Sequence, residues 1–251
     1  MDQRPVEIVS VNVGGKFPDV YVQRLYSMLG RNFGRPFRFT CFTDRKRNLS
    51  SEICQIDIGH WNERGFFNKM VLYNDEEMPY DAALYLDITM VIKDDITHLV
   101  DYAASLDADL VVIRDWKYPA MNSCVQWITK NDTMRAVWDV YTSGHFPEFR
   151  TRGDQEFTFD ALKALGLENR LGYFPDGEVQ SYKVLRSANR NSAAEARRLL
   201  EASKIVKFHG TPRQHEVIHP WLRISKVAMK YPHYAAKDWN FLVREIREWW
   251  Q

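Results

Sequence analysis

Asp87 follows the apolar run Ala82-Ala83-Leu84-Tyr85-Leu86, and His209 follows Ile205-Val206-Lys207-Phe208. A carboxylate at one strand end and an imidazole at another suit a divalent ion that also binds a diphosphate. Arg213, four residues beyond His209, is within reach of the same phosphates. Other polar residues follow apolar runs in the same way: Asn12 to Lys16, Asp44, Asp87 to Thr89, Arg114-Asp115 and His209-Gly210. In open α/β sheets ligands bind outside the carboxyl ends of the strands, so these are the positions where chemistry is expected. Taken singly, each has a plainer reading. His209 suits a satisfied structural histidine, Asp87 a turn cap, Lys69 a solvated helix lysine, Tyr21 a core residue, and Asp154 the N-cap of the helix it precedes.

The elements that must position these residues follow from periodicity. Val6 to Val13 reads as a strand stopping at Gly14-Gly15, and a helix follows from Asp19 as N-cap until Gly30 and Gly34 end it. Pro36 opens a second strand, Phe37 to Thr43, ending at Asp44, so the two strands form a parallel pair through a right-handed crossover. Ile53 to Ile58 reads as a strand, Phe66 to Tyr73 as a helix and Ala82 to Leu86 as a buried strand. Leu110 to Ile113 is continuously apolar, as in a parallel sheet covered on both faces. Helices are expected over Thr133 to Tyr141, Asp154 to Leu165 and Ser192 to Ala202, with a short strand at Ile205 to Phe208. Trp116, Trp127 and Trp138 read as core.

These segments, in this order, resemble the GT-A glycosyltransferases, in particular glycosyltransferase family 8 and its bacterial and phage relatives. The resemblance rests on the opening strand with Tyr21 in the next helix, CFTD ending at Asp44, FNKMVLY with Lys69 and LYLDIT at Asp87 to Thr89. It continues through MNSCV around Asn122, RGDQEF at Asp154-Gln155, PDGEVQSYK, and KFHGTPRQHEV at His209, covering roughly residues 6 to 220. It implies an α/β fold: a single Rossmann-like GT-A domain over 1–220, with a mixed, mostly parallel sheet flanked by helices and a helical basic and aromatic appendage over 221–251. It also implies transfer of a sugar from a nucleotide-sugar, commonly UDP-linked, with retention and with Mn²⁺ or Mg²⁺. On that resemblance Asp87 and His209 are metal ligands, and Asn12, Lys16, Tyr21, Asp44, Lys69, Thr89, Gly210 and Arg213 bind the donor. Asn122, Asp154 and Gln155 line the donor sugar. The family pattern is Asp-x-Asp, and Thr89 stands at its third position. A hydroxyl carries no charge, so metal affinity should fall, or the ion needs the diphosphate to complete its shell. A literal Asp107-Ala108-Asp109 precedes Leu110 to Ile113 and so sits at the wrong end of a strand.

Composition excludes several classes. The chain has 251 residues, 45% hydrophobic and 27% charged, with 34 Lys and Arg against 33 Asp and Glu for a formal charge of +1. A polybasic nucleic-acid or membrane binder is ruled out. Charge is uneven: ten acids against Lys93 between Asp75 and Asp109, and nine bases against four acids from Lys204 onward. Cys41, Cys54 and Cys124 lack CxxC spacing, which argues for reduced, mostly buried thiols. With no apolar leader and no run of membrane-spanning length, the chain is expected to be cytoplasmic, or in the host cytoplasm if it comes from a phage. Trp239, Leu242, Ile246 and Trp249-Trp250 form an apolar face that docks on the domain or meets a membrane surface or anionic acceptor. The acceptor is a glycan or a hydroxylated base in DNA. The rival class is a noncatalytic nucleotide-sugar-binding protein in which Thr89 marks a degenerate site, and a nucleotidyltransferase is disfavoured because VNVGGKF lacks a longer phosphate loop.

Overall fold

The β-branched run near the start of the chain forms β1 (Val6–Asn12), and the segment after Pro36 forms β2 (Phe37–Thr43). They pair in parallel from Val6↔Phe37 to Asn12↔Thr43, so Asn12 and Thr43 end together at one edge. The computed structural model describes residues 4–61, 65–118, 120–144, 153–218 and 242–251. The chain forms two compact units, one of residues 1–23, 35–88 and 97–176, the other of 24–34, 89–96 and 177–251.

The first unit holds a seven-stranded sheet. To β1 and β2 it adds β3 (Ile53–Asp57), β4 (Ala82–Leu86), β6 (Leu110–Arg114), β7 (Met121–Thr129) and β8 (Leu171–Tyr173), in the order β3-β2-β1-β4-β7-β6-β8. β7 runs antiparallel to both its neighbours, and the other four pairings are parallel. The sheet is therefore mixed, and Leu110 to Ile113 is buried beside an antiparallel neighbour rather than in an all-parallel sheet. Because β7 is reversed, its first residues lie at the edge where β4 and β6 end. A register shift between Val112 and Ile113 breaks the β6–β7 ladder there, with Val112 opposite Gln126 and Ile113 opposite Asn122. Such a bulge re-aims the side chains it contains.

Sheet residues Phe42, Tyr85, Val112 and Ile128 pack with Met70 to Tyr73 of a 3₁₀ helix (Gly65–Tyr73), α3 (Asp132–Ser143) and α4 (Asp154–Ala164). α2 (Thr97–Ser105) buries Leu99, Val100 and Ala103. α3 starts where Asn131 accepts the Met134 amide and stops at Gly144 in the left-handed region, as cap chemistry dictates. Of the three tryptophans expected in the core, Trp138 is buried and stacks edge-on to Trp61 at 4.7 Å, while Trp116 and Trp127 are half-exposed.

α1 (Val20–Asn32) begins in the first unit and runs on into the second. Gly30, expected to end it, lies within it, since one glycine costs a helix only about 1 kcal/mol. The second unit has a three-stranded sheet of β5 (Met90–Ile92), β10 (Ile205–Lys207) and β9 (Val179–Ser181), with β10 central. α5 (Tyr182–Asn191) and α6 (Ala193–Ala202) follow β9, capped by Ser181 and Ser192. α7 (Gln214–Ile218) and α8 (Leu242–Trp249) complete it. Of the expected appendage, residues 221–241, including Trp239, lie outside the described residues, as does the expected domain boundary at 220. The described end docks within its own unit: Ile246 and Trp250 are buried, Arg24 stacks on the Trp250 ring at 4.0 Å, and Arg31 Nη2 donates to the Trp249 carbonyl at 2.8 Å. Among the described residues no helix is long and apolar enough to cross a membrane.

Candidate functional site

The carboxyl edge of the large sheet gathers polar side chains from four elements. Lys69, from the 3₁₀ helix, places Nζ 2.5 Å from Asp154 Oδ2 and donates to Ser123 Oγ at 2.8 Å. Ser123 Oγ in turn donates to the same Asp154 oxygen at 2.5 Å. The Ser123 carbonyl accepts from Gln126 Nε2 at 3.0 Å, and Tyr73 donates to Gln126 Oε1 at 2.6 Å. This chain of bonds runs through the β7 bulge, which is what turns Ser123 toward Lys69. Burial works against the Lys69 charge, but Asp154 and then Asp87 more than offset it, so the ammonium is held above its usual range. Asp87, at the end of β4, fixes its backbone by donating its amide to the Cys124 carbonyl at 3.0 Å.

Asp154 is the first residue of α4, and its N-cap is Gly153, so the carboxylate serves Lys69 and Ser123 rather than capping. The next residue, Gln155, donates to Glu156 Oε1 at 3.0 Å. Asn122 donates to Asp115 Oδ2 at 3.0 Å, and Asp115 Oδ1 accepts the amides of Lys117 and Tyr118. Burial pushes the Asp115 carboxyl up, but Asn122, those two amides and Gln155 outweigh it and hold it below the usual carboxylate range. Lys69, Asp87, Asn122, Asp154 and Gln155, expected from the sequence, thus stand in one unit, together with Ser123 and Asp115.

A second cluster sits at the ends of β1 and β2. Asp44 Oδ2 accepts the Gly14 amide at 3.0 Å, and Oδ1 accepts from Arg47 Nη2 at 3.1 Å. Burial would raise the Asp44 carboxyl, yet the Gly14 amide, its own amide, Arg45 and Arg47 together hold it low. Arg47 is buried and also donates to Thr43 Oγ1, Asp19 Oδ1 and the Gly14 carbonyl. Asp19, which directly precedes α1, also accepts the Asn48 amide on Oδ2 at 2.9 Å. Asn12 is 1% exposed, and neither its Oδ1 nor its Nδ2 has a hydrogen-bond partner. A buried amide left so costs about 1–3 kcal/mol, the mark of a group waiting for a ligand or water. Tyr21 is buried against Phe17 with ring centroids 5.2 Å apart, and exposed Lys16 lies over the same Phe17 ring.

The remaining expected residues belong to the second unit. Thr89 Oγ1 accepts a hydrogen bond from Lys207 Nζ, and the Thr89 carbonyl accepts the Phe208 amide at 2.9 Å. His209 Nε2 is 3.5 Å from Ser181 Oγ. Gly210 has φ +70°, and a Cβ there would stand 3.3 Å from Lys183 Nζ. The Arg213 amide donates to Glu216 Oε2 at 2.7 Å. Asp87 and His209, the expected metal pair, fall in different units. Among the described residues no group of three or more His, Cys, Asp or Glu side chains is placed to hold a metal ion. A Mn²⁺ or Mg²⁺ ion on Thr89 Oγ1, at the ~2.0–2.6 Å of such bonds, would stand beside the lysine charge already on that oxygen. Repulsion between the two makes Thr89 a poor fit to a dication.

No family model matches the sequence, and no curated protein matches it. Solved structures do. The galactosyltransferase LgtC in complex with donor and acceptor sugar analogues superposes with a TM-score of 0.57 at 15% identity, over 92% of this chain and 95% of that one. The glycosyltransferase GlyE of Streptococcus pneumoniae TIGR4 gives 0.58 at 14% identity, over 98% of this chain and 63% of that one. Mouse xyloside xylosyltransferase 1 gives 0.54 at 11%, over 83% and 98%. The chain has the GT-A glycosyltransferase fold. In a GT-A sheet, as in other open α/β sheets, the carboxyl edge is where ligands bind, and both first-unit clusters lie on it. Three residues are not singled out by their sequence context. Ser123 lies within MNSCV beside the more conspicuous Asn122. Arg47 sits in an Arg-Lys-Arg run that reads as solvated, and Lys207 in a short apolar strand.

Proposed function

We propose that the chain is a glycosyltransferase that moves a sugar from a nucleotide-sugar, UDP-linked, to a hydroxyl of a saccharide acceptor, with retention. The observation that carries this is the buried Lys69–Asp154–Ser123 network beside Asp87 at the carboxyl edge of a GT-A sheet. Breaking the sugar–phosphate bond leaves its electron pair on the diphosphate and gives the sugar oxocarbenium character. A fixed carboxylate beside the sugar and fixed cations beside the diphosphate stabilise the two developing charges. Asn122, Gln155 and Asp154 are the sugar-lining groups in this reading. Asn12, with its unpaired amide, and the Asp44 loop receive the nucleoside.

The way Asp154 is held supports retention. Both of its short contacts fall on Oδ2, which is committed to Lys69 and Ser123. That arrangement suits a charge held in place beside the sugar. The acceptor oxygen then bonds the anomeric carbon while its proton passes to the departing diphosphate. A saccharide suits the near-zero net charge of the chain better than duplex DNA, whose binding depends on many phosphate contacts.

The test is release of nucleoside diphosphate from UDP-, GDP-, CDP-, ADP- and dTDP-sugars, measured with thermal shifts of the matching diphosphates. One donor is expected to raise the melting temperature and to be turned over. Binding without release in the presence of saccharide acceptors would make the chain a noncatalytic binder, and no binding by any of the five would overturn the nucleotide-sugar reading.

A further inference from the structure

We propose that Asp115 is a positioning residue that fixes which hydrogen-bonding atoms Asn122 and Gln155 turn toward the donor's sugar, and so sets which sugar is taken. The inference rests on the reading of those two amides as sugar-lining groups and specifies how they discriminate. It starts from the loop that joins β6 to β7. The Asp115 amide donates to the Ala120 carbonyl at 2.9 Å, and Asp115 Oδ1 accepts the Lys117 and Tyr118 amides at 2.9 and 3.1 Å. Backbone groups and one carboxylate oxygen therefore already close the turn. Oδ2 is left over, and it reaches across to β7 to accept from Asn122 Nδ2 at 3.0 Å. At the other end of the same side-chain amide, Asn122 Oδ1 accepts the Cys124 backbone amide at 3.1 Å, within the bulge.

Donor and acceptor chemistry makes this arrangement one-way. Burial opposes the Asp115 charge, but the donors around it outweigh burial and keep the carboxylate ionised at neutral pH, so both its oxygens only accept. The Cys124 N–H only donates. Asn122 must therefore point Nδ2 at Asp115 and Oδ1 at Cys124, since a flipped amide would set acceptor against acceptor at one end and donor against donor at the other. Asn122 is half-buried, and one N–H and one lone pair of its amide remain for a ligand. Gln155 is fixed by the same logic. Its Nε2 donates to Glu156 Oε1 at 3.0 Å and to Asp115, which uses both of its N–H groups and leaves Oε1 as an acceptor. Sugars that differ in the direction of one hydroxyl meet such a fixed pattern differently, and the one that leaves a polar group of the site unmatched is rejected.

The experiment is calorimetric titration and thermal unfolding of the full chain with whichever of UDP, GDP, CDP, ADP and dTDP binds, and with its glucose, galactose and mannose conjugates. It uses wild type, Asp115→Asn and the pair Asp115→Asn with Asn122→Asp. Wild type is expected to bind one of the three conjugates about tenfold or more tightly than the other two. Asp115→Asn sets a new N–H against Asn122, so affinity for that conjugate should fall by about tenfold or more while the free diphosphate stays within about twofold. The paired exchange restores the hydrogen bond between positions 115 and 122 and keeps the one to the Cys124 amide, but turns a carboxylate oxygen to the sugar where an N–H stood. Its melting temperature should return to near wild type while its affinity for the conjugate stays low. Conjugate binding that recovers in the pair along with stability, equal losses of diphosphate and conjugate in Asp115→Asn, or a folded Asp115→Asn that binds like wild type makes Asp115 a turn residue and overturns the proposal, leaving the glycosyltransferase reading standing. If Asp115→Asn does not fold, the pair decides. A wild type that binds the diphosphate but takes the three conjugates alike, or none of them, overturns the proposal whatever the variants do. Failure of all five diphosphates to bind wild type removes the nucleotide-sugar reading and this one with it.

Discussion

The two ends of β6 carry aspartates with opposite uses. At its amino end Asp109 is gripped by Arg170, Nε to Oδ2 at 2.8 Å and Nη2 to Oδ1 at 2.7 Å, with Thr133 donating at 2.6 Å and Asp107 taking Nη1. At its carboxyl end Asp115 accepts from neutral donors: two backbone amides, Asn122 and Gln155. The amino-end acids spell the letters of a metal motif, and the structure uses them as a clasp between β6 and the segment before β8. Strand direction, which sequence periodicity reveals, sorts such acids better than the letters do.

The largest effect is expected at Lys69 and Asp154. Asp154→Asn is expected to lower sugar transfer by about 10²–10³-fold, read as nucleoside diphosphate released per folded molecule. Because each single change strands a buried charge, at about 3–5 kcal/mol, the decisive variant is Lys69→Met with Asp154→Leu. Chemical denaturation should show its stability largely restored, and transfer should stay lost. Recovery of transfer would mean the network is a clasp like that at Asp109.

Next comes Asp109→Asn, expected to lower unfolding free energy by about 1–3 kcal/mol with transfer per folded molecule unchanged. Its pH dependence sharpens the contrast. Arg170 and Thr133, against the opposing effect of burial, hold the Asp109 carboxyl below its ordinary value. Its contribution is therefore complete above the unfolded carboxylate range near pH ~4 and lost as pH falls through the lower folded value. Urea titrations at descending pH should show wild type and Asp109→Asn converging below that range. The smallest effect belongs to Asp107→Asn. Its side chain is 93% exposed, and no change in melting temperature is expected.

Much of this architecture was legible in the sequence because long apolar runs leave few alternatives. β1, β2, β4 and β6 fall where their apolar runs stand, and α3, α4 and α6 where helical spacing and Ser192 put them. β7 was missed because MNSCVQWIT mixes polar and apolar residues, as suits a reversed strand whose first residues serve the site. β5 and β9 are three residues each, too short to show a period. α5 was hidden in a polar stretch whose two buried residues, Tyr182 and Leu185, are its only apolar anchors to the core. At the site, acids and the histidine were visible by type. Lys207 and Arg47 were not, because a buried base looks like a surface base until its partners are known.

Arg47 has a consequence for which substitutions the chain tolerates. Its Nε donates to Thr43, Nη1 to Asp19, and Nη2 to both Asp44 and the Gly14 carbonyl. A lysine offers one nitrogen on a flexible stem, so charge-preserving exchange at this position is not conservative. Homologous chains that keep this loop geometry should therefore vary freely at Arg45 and Lys46 and hold arginine at 47. A lysine there would signal that the loop around Gly14, to which the proposed function assigns the nucleoside, has been rebuilt.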